Sequence, residues 1–267
     1  MIDWLQALLL AAIQGLTEFL PISSSAHLVI PSLVLDWPDQ GLAFDIAVHV
    51  GTLMAVLVYY RSDLWQMATG CLDAVQYREQ NPQTQMVFLL AVASVPVALV
   101  GFTGSSFIEE NLRTLPVIAT TTAVFGILLG VADRYSTRVE GSTGLTLPIA
   151  LAIGFAQAIA PIPGVSRSGV TITAGLFLKL DRQTAARFSF LLSIPVIGFA
   201  GLVKGLELAT SEQPVEWAIL LLGAVAAAVT AYLCIAAFIR LLDRIGMMPF
   251  VYYRLVLAAF LFWIWIA

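Results

Sequence analysis

Charge is what this sequence has least of. Only 11% of its 267 residues are Asp, Glu, Lys or Arg, against roughly 25% in soluble globular domains. Hydrophobic residues make up 60%, and the mean hydropathy is +0.92, so water is not the main solvent of this chain. There is no run of Lys or Arg, and the net charge of −4 with a pI near 5.1 excludes the basic footprint of a nucleic-acid binder. No polar stretch is long enough for a separate soluble domain, which leaves one polytopic membrane domain over residues 1–267. Cysteine is scarce too. Cys71, in a polar connection, and Cys234, in an apolar run, have none of the spacings of a metal or redox site and are assigned no role. The start, Met1-Ile2-Asp3-Trp4, lacks the basic region of a secretory signal, and its apolar run is interrupted by Gln14 and Glu18; it reads as mature structure.

What is present is hydrophobic length. Six runs, about 43–60, 86–104, 115–132, 184–204, 216–239 and 249–267, are long enough to cross a bilayer as helices. Two regions, 2–35 and 146–178, each hold a pair of apolar segments too short to span, separated by Pro, Gly and Ser. They read as re-entrant helical hairpins, broken at Leu20-Pro21-Ile22-Ser23-Ser24-Ser25-Ala26-His27 and at Pro161-Ile162-Pro163-Gly164-Val165-Ser166-Arg167-Ser168-Gly169. Irregular backbone at membrane depth survives only where protein or a wet cavity satisfies it, so each break marks a candidate site. The halves resemble each other: a short helix carrying Gln14 or Gln157, a break, a second short helix, then three spans. The expected fold is an all-α integral membrane protein with six transmembrane helices and two re-entrant hairpins. An inverted-topology repeat divides it into halves of about 1–132 and 146–267.

The basic residues fix an expected orientation. This scheme puts Arg61, Arg78, Arg134, Arg138, Lys179, Arg182, Arg187, Arg240, Arg244 and Arg254 on one side, Arg113 and Lys204 on the other, and Arg167 in the second break. The richer side is cytoplasmic by the positive-inside rule, so both termini lie outside and the first hairpin enters from the outer face. Glu109, Glu110, Glu207, Glu212 and Glu216 fall in exterior connections, where solvation accounts for them.

Ionisable groups within a membrane are expensive, roughly 2.5–3.5 kcal/mol at a helix centre on insertion scales. Glu18 and Arg167 are the strongest cases. Gln14 and Glu18, four apart, share one helix face just before the first break. The break supplies Ser23, Ser24 and Ser25, with His27 within one turn, and the helix that follows offers free amides and a positive dipole end to an anion. In the second hairpin Ser166, Arg167, Ser168 and Thr171 open another short helix, and the planar guanidinium suits phosphate oxygens. Two such helix starts meeting near the midplane would make an anion site. The serines and threonines can equally be bonding back to their own helices, and Arg167 with Glu18 can be a structural ion pair linking the hairpins. Asp45 and His49, four apart near the outer part of the first full span, read as structural or supporting.

These residues carry a resemblance. The segment Gln14-Gly-Leu-Thr-Glu18, running into Phe-Leu-Pro-Ile-Ser-Ser-Ser-Ala-His27, and the segment Pro163-Gly-Val-Ser-Arg-Ser-Gly-Val-Thr171 are similar to the two motifs of the bacterial undecaprenyl-diphosphate phosphatases of the bacitracin-resistance type. The likeness covers the whole chain. Gln14 stands at a motif position that admits Glu or Gln, so Glu18 carries that charge alone, and Ala26 stands where Gly is often seen. The resemblance implies hydrolysis of undecaprenyl diphosphate to the monophosphate in the bacterial plasma (inner) membrane, recycling the lipid carrier for peptidoglycan and other envelope polymers. It further implies a divalent metal, Mg²⁺ or Ca²⁺, with Glu18 among its ligands, and a site open to the outer face. Glu18, Ser24, His27 and Arg167 are then the catalytic candidates: Arg167 holds phosphate, Ser24 attacks, and His27 or Glu18 accepts its proton, with an activated water as the rival nucleophile. Gln14, Ser23, Ser25, Ser166, Arg167, Ser168 and Thr171 are the substrate-binding candidates. The partners are the lipid substrate and membrane lipid, with no nucleic acid, and a homodimer is among the assemblies left open. The competing class is a lipid-carrier flippase or another secondary transporter, since broken helices meeting at the midplane are also transporter architecture.

Overall fold

A computed structural model describes residues 2–35, 37–78, 81–136, 144–210 and 216–266. Among them every regular element is a helix: α1 Trp4–Thr17, α2 Ser24–Leu28, α3 Ile30–Val34, α4 Gly41–Tyr59, α5 Arg61–Tyr77, α6 Pro82–Asn111, α7 Leu115–Ser136, α8 Leu147–Gln157, α9 Arg167–Phe177, α10 Arg182–Ala209, α11 Trp217–Ile245 and α12 Met248–Ile266. Six of these, α4, α6, α7, α10, α11 and α12, are long and apolar enough to cross a membrane. This is a multi-pass membrane protein. Arg138 and Glu212, used above in placing the connections, lie outside the described residues.

Local chemistry sets the helix starts. Asp3 caps α1 by accepting from the Gln6 amide at 2.8 Å, and the Gln6 side chain accepts from the Asp3 amide at 2.9 Å, a reciprocal box. Asn81 and Thr84 do the same for α6, where Pro82 occupies the first helical position, whose amide has no use. Asp181 caps α10 through the Thr184 amide. Gly246, at φ 62°, makes the tight corner between α11 and α12, a conformation that favours glycine.

One element differs from expectation. The polar connection holding Cys71 is a 17-residue helix, α5. Its apolar residues Leu64, Met67, Cys71 and Ala74 recur at helical spacing, but the segment is too polar for a search based on hydropathy runs to register. Met67 and Gly70 are buried, and α5 packs on α6.

The helices seat reciprocally. The first short helix of the chain, α1, lies along α11, while α8 lies along α6, and α7 and α12 pair with each other. Both short-helix contacts bring a glycine close against the long helix. A Cβ added to Gly15 would come within 2.6 Å of the Ala227 carbonyl oxygen, and one added to Gly154 within 2.6 Å of the Ala93 carbonyl oxygen. Small residues permit such close approach in lipid, where dispersion and close packing drive helix association. The largest apolar cluster includes Phe19, Phe188, Phe190 and Phe238, with Phe19 immediately before the first break.

Candidate active site

Both breaks are built to one plan. Ser23 precedes α2 at φ 73°, ψ 95°, and Ser166 precedes α9 at φ 70°, ψ 112°. A serine held in this sparsely populated region costs about 1–3 kcal/mol and persists only where its surroundings over-determine it. Here they do. The Ser23 and Ser25 hydroxyls pair at 3.1 Å, and those of Ser166 and Ser168 at 3.2 Å. Each break then bonds to the other: Ser25 Oγ accepts from the Gly164 amide at 3.3 Å, and Ser168 Oγ donates to the Leu20 carbonyl at 2.8 Å.

Where the breaks meet there is a cavity of about 190 Å³, lined by Glu18, Ser23, Ser24, Ser25, His49, Ala160, Pro161, Pro163, Ser166 and Arg167. Glu18 is its hub. One carboxylate oxygen accepts from Ser24 Oγ at 2.9 Å and from Gln14 Nε2 at 3.0 Å, and the other accepts from Arg167 Nη2 at 3.1 Å. The ion pair raised above as the structural alternative for Glu18 and Arg167 does form, in the cavity wall. Arg167 also donates to the Ser189 carbonyl at 3.0 Å and lies 5.7 Å over the Phe19 ring, so its guanidinium is aimed and cannot swing freely.

The remaining candidates divide by position. Gln14, Ser168 and Thr171 are buried behind the lining. Thr171 bonds to the Arg167 carbonyl and to Ser189 Oγ, so it steadies the helix that carries the arginine. His27 stands apart from the cavity: its Nδ1 meets the Ser23 carbonyl at 2.7 Å and its Nε2 meets the Tyr253 hydroxyl at 2.6 Å. Of the two groups considered as acceptors for the Ser24 proton, Glu18 is the one in contact with it.

Two further residues belong to this region, and one of them was misplaced by sequence reasoning. His49, read as supporting, is in the cavity wall with Nε2 4.0 Å from Glu18. Arg254, counted among the cytoplasmic cations, is fully buried on α12. Its guanidinium donates to the carbonyls of Pro21 at 3.2 Å, Thr122 at 3.0 Å, Gly164 at 2.8 Å and Val165 at 3.2 Å, thereby holding both breaks at once. A cation in the second turn of an apolar helix was the available signal. It belongs to no ion pair among the described residues, so Arg167 and Arg254 together outweigh Glu18 in formal charge.

The donors suit a hard cation in part. Gln14 Oε1 is buried without a hydrogen-bond partner beside the Glu18 carboxylate, and hydroxyl oxygens line the cavity, which is the all-oxygen chemistry of Mg²⁺ or Ca²⁺. Gln157 Oε1 is equally unpartnered but has no neighbouring carboxylate in its helix, so Glu18 is what distinguishes the first break.

A family model described as Bacitracin resistance protein BacA matches residues 7–260. The chain belongs to the BacA family. Its relatives include proteins named undecaprenyl-diphosphatase from Alcanivorax borkumensis, 57% identical over 98% of this chain and 99% of the relative, and from Teredinibacter turnerae, 53% identical over 97% and 98%. A third, from Hahella chejuensis, is 51% identical over 99% of each chain.

Proposed function

We propose that this protein is an undecaprenyl-diphosphate phosphatase, releasing inorganic phosphate and returning the monophosphate carrier to envelope synthesis. The observation that carries the reading is the Ser24–Glu18–Arg167 contact chain at the junction of the two breaks, in a chain at least half identical to proteins bearing that name. The polyprenyl tail stays in lipid while the diphosphate enters the cavity. Arg167 binds the terminal phosphoryl oxygens, with a geometry a lysine could not reproduce. Ser24 Oγ attacks the terminal phosphorus as Glu18 takes its proton. The bond from that phosphorus to the bridging oxygen breaks, and polyprenyl phosphate leaves with the electron pair. Water then cleaves the phosphoserine and restores the hydroxyl.

A divalent ion, Mg²⁺ or Ca²⁺, would be held by Glu18 and by the diphosphate itself, and would neutralise phosphate charge. The site belongs to the plasma membrane and opens outward, a reading supported by the basic residues concentrated on one set of connections. On the same grounds the halves insert with opposite orientation. Transport is not favoured, because passage of a phosphate calls for no serine bonded to a carboxylate.

Phosphate release by purified protein in detergent, with and without EDTA, tests the reading. Metal-dependent release should be lost in Glu18→Ala and Arg167→Ala, and a well-folded wild type that releases nothing would sink it. Rapid quench separates the nucleophiles: a phosphoenzyme that disappears in Ser24→Ala is the serine route, and none at any time is direct attack by water.

A further inference from the structure

The two ring nitrogens of His27 are both occupied. Nδ1 lies 2.7 Å from the Ser23 carbonyl. A carbonyl only accepts, so Nδ1 carries the proton. Nε2 of the neutral ring is then an acceptor, and the Tyr253 hydroxyl, 2.6 Å away, donates to it. The two rings lie parallel within 5°, their centroids 5.5 Å apart. His27 is buried, does not line the cavity, and makes no bond to Ser24, whose hydroxyl is committed to Glu18. What His27 does hold is the carbonyl of Ser23, the residue whose left-handed backbone turns the chain so that Ser24 points at the carboxylate.

We propose that Tyr253 and His27 form a clamp: Tyr253 fixes the imidazole and the imidazole fixes the Ser23 peptide, so that both are positioning residues for Ser24 and neither accepts its proton. The clamp joins residues 226 positions apart in the chain, one on α12 and one on α2. It also explains why a histidine occurs here without access to substrate. This deepens the phosphatase reading and rests on it.

Replacement by asparagine separates clamp from base, because its side-chain amide can donate to the Ser23 carbonyl as Nδ1 does but cannot take up a proton. In phosphate-release assays on full-length protein in detergent, His27→Ala should lower kcat by about a hundredfold or more, the scale of a misplaced reacting group. His27→Asn should recover to within about tenfold of wild type, and the wild-type pH–rate profile should be retained. Tyr253→Phe should lower kcat by about tenfold, the worth of one lost hydrogen bond, with KM little changed. Ring-¹⁵N-labelled protein should show His27 neutral with Nδ1 protonated, and Tyr253→Phe should shift only the Nε2 resonance. Glu18→Ala, expected to be inactive, confirms that the release measured comes from this site. If His27→Asn is as inactive as His27→Ala while remaining folded, or if Tyr253→Phe matches wild type in both kcat and the Nε2 resonance, the clamp is overturned and the phosphatase stands. A wild type that releases no phosphate overturns the phosphatase reading, and the clamp falls with it.

Discussion

Placed in register, Gln14 and Ser23 are nine residues apart, and so are Gln157 and Ser166. The two breaks then correspond position by position, down to the serine at each turn and the hydroxyl pair behind it. They differ where it matters. Glu18 in the first corresponds to Pro161 in the second, and Ser24 corresponds to Arg167. One framework, used twice, thus presents a carboxylate with a hydroxyl from one side and a guanidinium from the other. The difference teaches that the chemistry lies in a few departures from sameness. Neither break alone brings a hydroxyl, a carboxylate and a guanidinium together.

The largest effect on that contrast should come from Glu18→Gln, which keeps an acceptor for Ser24 but removes the base: kcat should fall by about 10² to 10⁴, measured by phosphate release. Arg254→Leu attacks what the breaks share. Several buried carbonyls would lose their donor, each costing about 1–3 kcal/mol, so a drop of at least about 3 kcal/mol in stability should appear in thermal unfolding in detergent. Arg167→Lys preserves charge but loses the planar fork and should lower kcat/KM by about 10². Equal activity in that variant would mean that charge alone suffices. The smallest effect sharpens the contrast most. Gln14→Leu removes a 3.0 Å bond to Glu18 and should cost about tenfold in kcat. Gln157→Leu removes only a 3.4 Å contact to Ala93 and should stay within about twofold. Matching losses would show that both glutamines serve the fold alone.

The sequence made Glu18, Ser24 and Arg167 legible because polar groups amid apolar runs are costly and so stand out. The six spans were legible for the converse reason, their uniform hydropathy. His27 was legible as a residue but not in its contacts, since its partner Tyr253 lies 226 positions later. Arg254 was visible as a letter yet assigned to a membrane face, because counting charges by connection takes no account of depth. The helix α5 was missed since its period is helical but its mean polarity is that of a loop. His49 was discounted because its distance from Glu18 follows from how α4 seats against the break, which no local pattern encodes.

The ion pair between Glu18 and Arg167 joins residues 149 positions apart, and this has a consequence in time. At bacterial-scale synthesis of about 5 to 20 residues per second, the carboxylate is made roughly seven to thirty seconds before its cation. Throughout that interval α1 has neither α11 to lie on nor a guanidinium to neutralise it. The first break therefore lacks both its helical support and its counter-charge until the second half arrives. The site is completed only in the last steps of assembly, so a chain cut short before α9 carries a serine, a carboxylate and no means to hold a phosphate.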